Sequence, residues 1–198
     1  FNKLWLDKNE CIDSEMNAIV SQSLANIPQE AVFSYPNLGV LYSKIAKFSK
    51  IYPENILLTA GSDGAIRACF EVCIVPGDKI VLTRPTFAMY DVYSKIYGAD
   101  VTWLEYAASD DGPILAVDEI VKTIKEVTPK MVCLPNPDSP TGTVFSPTDL
   151  RIIVDAVGEV GALMLIDEAY HPLYSWTAVP WINECKHLVV VRSFSKAW

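Results

Sequence analysis

The sequence predicts an α/β fold: three layers, α/β/α, with helices on both faces of a mostly parallel sheet, preceded by an N-terminal helical arm. Two observations carry this reading. Short apolar runs that end in Gly, Pro or a polar cluster alternate with longer segments of helical period, the pattern of successive βαβ units. Most of the short runs are continuously apolar rather than alternating, as strands are when both faces of their sheet are covered.

In chain order, residues 14–24 and 41–50 have helical period and flank the loop FSYPNLG. The first strand is read at 55–60 (NILLTA), followed by a helix over 63–73. KIVLTR (79–84) leads to a helix over 86–97, ADVTWLE (99–105) to one over 117–127, and KMVCLP (130–135) to one over 147–160. That last helix carries its own start signal in SPTDL: Ser146 can cap, Pro147 suits the first turn, and Asp149 favours the positive end of the helix dipole. ALMLID (162–167) and HLVVVRS (187–193) complete the strands. The expected division is an arm over 1–30 and a large domain over 31–198.

A chain of 198 residues can bury a sizeable core, and 51% hydrophobic with 20% charged residues describes a globular protein rather than a disordered one. A formal charge of -8 argues against nucleic acid or an anionic membrane as partner, because both are held chiefly by Lys and Arg clusters. The five cysteines, Cys11, Cys69, Cys73, Cys133 and Cys185, are odd in number and scattered, without a C-x-x-C pair. They suggest a reduced, cytoplasmic chain and no metal site. His171 and His187 form no cluster and read as structural. No apolar run is long enough for a membrane-spanning helix, and FNKLWLDKNE lacks the layout of a signal peptide.

In an open parallel sheet, ligands collect beyond the carboxyl ends of the strands. After NILLTA come Gly61, Ser62, Asp63 and Gly64, where free N–H groups at a helix start suit a phosphate; taken alone, these residues read first as an ordinary strand-to-helix turn. PTFAMY places Phe87 and Tyr90 at this edge, as a stacking face or as core packing. The loop NPDSPTG either holds a ligand or redirects the chain. Asp167 stands where an apolar strand leaves the core, so it needs a cationic or hydrogen-bonding partner or serves as a helix cap. HLVVVRS delivers Ser193, Ser195 and Lys196 to the same edge. A phosphate cradle, an aromatic face, an acid and a lysine are together the set that pyridoxal phosphate requires.

The ordered series LWLDKNE, SYPN, GSDGAI, PTFAMY, NPDSPTG, DEAY and SFSKAW resembles the fold-type I pyridoxal-phosphate aminotransferases, most closely the histidinol-phosphate aminotransferase group, from end to end of the chain. The resemblance implies the cofactor pyridoxal 5'-phosphate, with Lys196 as its Schiff-base lysine and Asp167 paired with the pyridinium nitrogen. Ser62 and Asp63 would offer backbone N–H groups to the phosphate and Ser195 its hydroxyl. Phe87 would stack on the ring, and Tyr170 would hydrogen-bond the ring's 3-oxygen. Tyr35 matches a tyrosine that reaches the phosphate of a neighbouring subunit, which implies a homodimer with shared active sites. Asn9 and Glu10 match a segment near the substrate entrance. The implied reaction is ping-pong amino transfer between an amino acid or amino-alcohol phosphate and a 2-oxo acid. At about 4 Å and an effective dielectric of ~20, a carboxylate–cation pair is worth roughly 4 kcal/mol, enough to hold the ring proton over several pH units.

Two departures stand out. Where the family carries Asn before PTG, this chain has Ser139, a shorter donor to the 3-oxygen, with Asn136 as a substitute at the start of the same loop. Family chains also continue past the lysine through arginines that bind phosphate and substrate carboxylate, so a fragment of a longer protein is expected. The same residues would serve a decarboxylase or other lyase acting on an amino acid phosphate, and a truncated non-catalytic binding domain is the alternative of another class.

Overall fold

The protein's structure, a computed structural model, describes residues 8–196, so the first four residues of LWLDKNE and the last two of SFSKAW fall outside it. The chain divides into two compact units. One takes the sequence up to Leu58 together with the segment from Phe194; the other is Thr59–Ser193.

The first unit contains α1 (Ser14–Ala25), the short α2 (Glu30–Phe33), α3 (Leu38–Ser49) and a 3-10 turn at Pro53–Asn55. Asp13 starts α1 by accepting a hydrogen bond from Met16 N at 2.8 Å. The α3 helix begins three residues before its expected start, because Asn37 accepts from Gly39 N at 3.0 Å and opens the helix there. The strand expected at 55–60 does not form: Pro53–Asn55 turn, and residues 56–59 join no ladder among the described residues. Its apolar run gives β propensity, but a strand also needs a neighbour to complete its hydrogen bonds, and Leu57 stays exposed.

The second unit holds the sheet. Its elements are α4 (Gly61–Cys73), β1 (Lys79–Arg84), α5 (Ala88–Tyr97), β2 (Asp100–Glu105), α6 (Val117–Val127), β3 (Met131–Pro135), α7 (Pro147–Glu159), β4 (Leu163–Asp167) and β5 (Leu188–Val191). These strands pair in parallel throughout, in the order β2-β1-β3-β4-β5. The chain runs outward from β1 to β2 and then returns past β1 to β3, which puts the switch point between β1 and β3.

Side-chain alternation explains the three layers. Ile80 and Leu82 of β1, Met131 and Cys133 of β3, and Leu165 of β4 pack with Ile66 and Phe70 of α4 and Tyr90 and Tyr93 of α5. The intervening residues Val81, Val132, Leu134, Met164 and Ile166 pack with Ile120 and Ile124 of α6 and Leu150, Ile153, Val154 and Val157 of α7. Both faces are therefore apolar, which is why these strands read as unbroken apolar runs; each large side chain buried in this way stabilises by about 1.5–3 kcal/mol. Among the described residues, no helix is long and apolar enough to cross a membrane.

The α7 helix opens as its sequence requires, with Ser146 Oγ accepting from Asp149 N at 3.1 Å. Near its other end, Gly158 leaves room for His187, whose Nε2 donates to Val154 O at 2.9 Å. A Cβ at Gly158 would sit 2.6 Å from the ring's Cε1. Gly158→Ala should therefore destabilise the full-length protein by about 1–3 kcal/mol despite its better helix propensity. In a His187→Ala background the same change should be neutral or stabilising. Chemical denaturation of the four proteins measures this, and equal costs in both backgrounds would contradict the steric account.

Candidate active site

At the start of α4, Gly61 takes φ +71°, a conformation open to glycine, and so turns the chain into the helix. Gly61 N already donates to Thr59 O at 2.9 Å, but Ala60 at the N-cap position makes no side-chain cap, so among the described residues the N–H groups of Ser62 and Asp63 are left suited to an anion. The Asp63 carboxylate is turned toward α5, where it accepts from Tyr93 Oη at 2.9 Å. Ser193, buried just beyond β5, brings its hydroxyl to 3.9 Å from where a Cβ on Gly61 would lie.

Asp167 ends β4 and is 5% exposed. Its Oδ2 accepts from Tyr90 Oη at 3.2 Å and its Oδ1 from Ala169 N at 3.0 Å. Burial pushes the carboxyl up to about 6, opposed by these two hydrogen bonds and reinforced by the negative charges of Glu168 and Asp138. The adjacent Glu168 is held differently. It accepts from Arg192 Nε at 3.0 Å, Thr177 Oγ1 at 2.7 Å and Ala178 N at 2.7 Å. Glu168 is thus neutralised within the protein, whereas the hydrogen bonds to Asp167 come from neutral donors, leaving a buried carboxylate suited to a cation.

Phe87 precedes α5 and meets Tyr90 edge-on, with centroids 6.3 Å apart and planes at 89°. Phe87, Tyr90 and Asp167 therefore form one chain of contacts. In the segments after β4 and β3, Tyr170 Oη donates to Ser139 Oγ at 3.4 Å. Asn136 turns its amide oxygen to Phe145 N at 2.9 Å. The remaining candidates belong to the first unit. There Lys196 Nζ donates to Lys8 O at 2.6 Å, Ser195, Asn9 and Glu10 are exposed, and Tyr35 is fully exposed. The sequence placed Tyr90 and Ser193 at this edge but did not give their contacts: Tyr90 as a donor to the acid, and Ser193 beside the Gly61 turn. Their signals were Tyr90 lying one helical turn after Phe87, and Ser193 ending HLVVVRS.

A parallel sheet with an uncapped helix start, an aromatic face and a buried acid at its carboxyl edge is an α/β arrangement whose chemistry suits an anion and a cation. The chain belongs to the family Aminotransferase class I and II, whose model matches residues 2–198. It is 34% identical to the histidinol-phosphate aminotransferase of Caldanaerobacter subterraneus subsp. tengcongensis, over 99% of this chain and 55% of the relative. The histidinol-phosphate aminotransferase of Sinorhizobium meliloti, solved with pyridoxal 5'-phosphate, superposes with a TM-score of 0.79 at 20% identity, covering 96% of this chain and 51% of that one. Cystalysin from Treponema denticola, which contains pyridoxal 5'-phosphate, gives 0.80 at 20% identity over 98% and 52%. The chain thus spans about half the length of these proteins.

The environment of Asp167 has a consequence for stability. The carboxyl titrates near 3.8 when unfolded and at about 6 when folded, so between these values the native state holds the extra proton. The resulting stability is fully present below the unfolded value and is lost as pH rises through the folded one, a change of about 3 kcal/mol. In ligand-free protein, urea denaturation across this range should show Asp167→Asn gaining on wild type by that order as pH rises. A constant difference between the two would contradict the burial of an unneutralised acid.

Proposed function

We propose that this chain is the cofactor-binding part of a pyridoxal-phosphate-dependent aminotransferase that moves an amino group between an amino acid or amino-alcohol phosphate and a 2-oxo acid. The single observation that carries the reading is Asp167, buried at the carboxyl end of β4 and held by neutral donors, in a chain of this family. When bound, pyridoxal phosphate supplies an electron sink for charge developing at the substrate Cα.

The chain's own residues divide the remaining work. Asp167 holds a proton on the ring nitrogen, and the proton gives its carboxylate the charge partner that its neutral donors do not supply. Tyr90 and the Ala169 N–H fix that carboxylate's orientation. The first turn of α4, with Ser62 and Asp63, binds the phosphate through backbone N–H groups, and Ser193 and Ser195 add hydroxyls. Phe87 would supply the stacking face for the ring, and Tyr170 with Ser139 would supply hydroxyl donors to its 3-oxygen. Lys196 would hold the cofactor covalently, and its amine, once freed, would serve as general base and acid for the substrate's Cα proton.

Tyr35 reaches a second subunit in this reading. Its full exposure supports that role, as does the group of exposed apolar side chains in the first unit that includes Ile19, Val32, Phe33 and Val40. Asn9 and Glu10 line the substrate entrance. The five free cysteines support a cytoplasmic setting.

The test uses the full-length protein. Borohydride should fix pyridoxal phosphate covalently on the peptide containing Lys196, and Lys196→Ala should lower amino transfer by about 10²–10⁴-fold. An amino-donor screen against 2-oxoglutarate should yield keto products. Carbon dioxide in their place would make the protein a lyase, and failure to take up pyridoxal phosphate would sink the enzyme reading.

A further inference from the structure

Four buried side-chain polar atoms have no hydrogen-bond partner among the described residues; besides His171 Nδ1, they are Thr83 Oγ1 on β1, Tyr106 Oη just past β2, and Asn136 Nδ2 just past β3. Strand alternation puts these last three together. Val81, Leu104 and Leu134, each two residues earlier, all pack in the core on the α6–α7 face, so Thr83, Tyr106 and Asn136 follow on that same face. The β1 strand lies between β2 and β3, and Thr83 pairs with Leu104, so Tyr106 and Asn136 flank β1 on its two sides one same-face step, two residues, beyond the level of Thr83.

Beside them is Asp138, itself only 3% exposed. Its Oδ2 accepts from Thr141 Oγ1 at 2.6 Å and Thr141 N at 3.3 Å, and its Oδ1 from Thr86 Oγ1 at a long 3.5 Å. The Tyr106 hydroxyl is close enough to interact with the Asp138 charge and with the Thr83 and Thr141 hydroxyls, yet it lies outside hydrogen-bond geometry to each.

Protein interiors rarely keep several unpartnered polar atoms together unless water joins them. The chemistry of this group suits a water molecule. Asn136 Nδ2 and Tyr106 Oη donate, the Asp138 carboxylate accepts, and the Thr83 hydroxyl completes the set; one water accepts two hydrogen bonds and donates two.

We propose that Thr83, Tyr106, Asn136 and Asp138 enclose a buried water site that braces the loop 136–142, which makes them positioning residues for Ser139. Asp138 directly precedes Ser139, and its partner Thr86 directly precedes Phe87. The same carboxylate thus ties the loop bearing the 3-oxygen donor to the loop bearing the stacking ring, across the switch point between β1 and β3. The positioning role rests on the cofactor reading given above; the water site does not.

The test is a high-resolution crystal structure of the full-length, cofactor-loaded protein, together with Thr83→Val, Tyr106→Phe and the conservative Thr83→Ser. Ordered water bridging at least two of the four side chains is expected. Thr83→Val and Tyr106→Phe should each lower the thermal midpoint by several degrees and shift the pH titration of the bound cofactor's visible absorbance, while Thr83→Ser retains wild-type behaviour in both. A dry site, or apolar variants as stable as wild type or more so, overturns the water site, because removing a truly unpartnered polar atom relieves the protein. Ordered water with an unmoved titration overturns the positioning role. A wild-type protein that takes up no pyridoxal phosphate contradicts the proposed function instead, and density with thermal midpoints then decides the water site alone.

Discussion

A carboxylate buried among neutral donors at the end of β4 is the constraint on which the rest of the site depends. Removing Asp167 from water is costly, and the chain meets that cost only in part, through one tyrosine and one backbone N–H. Both donors come from the fold. Tyr90 is delivered by α5, which packs on the sheet through Tyr90 and Tyr93, and Ala169 is placed by the turn after the strand. The contrast with Glu168, saturated by Arg192, Thr177 and the Ala178 N–H, shows that the same strand end can neutralise an acid fully. That it does so for one neighbour and not for the other is what supports a ligand role for Asp167 and a structural one for Glu168.

The parallel sheet supplies the second requirement, a common edge. With every strand running the same way, Arg84, Pro135, Asp167 and Val191 all end on one side of the sheet. The turns after β1, β3 and β4 therefore carry Phe87, Ser139 and Tyr170 to that side, and the segment after β5 carries Ser193 there. The reversal between β1 and β3 opens the space in which the first two of these loops face one another, with Asp138 and Thr86 between them.

Much of this was legible in the sequence because it is local. KIVLTR is a strand over the range its apolar run marks, and SPTDL opens a helix through the cap its side chains encode. NILLTA misled because an apolar run reports propensity for the extended state and not the presence of a pairing partner. The helix at Leu38 began earlier than its apolar period suggested because Asn37, a polar residue, sets its start. In the site, Asp167, Ser62 and Phe87 were legible because each stands at or just past the end of an apolar run. The Tyr90–Asp167 bond and the group around Asp138 were not, since they depend on which face of a helix meets the sheet and on register between strands distant in sequence.

The central claim is that Asp167 keeps the ring nitrogen of the cofactor protonated. Nitrogen-15 NMR of the full-length protein loaded with pyridoxal phosphate labelled at that nitrogen reads the proton directly. A pyridinium shift persisting to alkaline pH in wild type, and replaced by a neutral pyridine shift in Asp167→Asn, is the expected result. A neutral ring nitrogen in wild type, or an identical shift in both proteins, would contradict the role assigned to this acid.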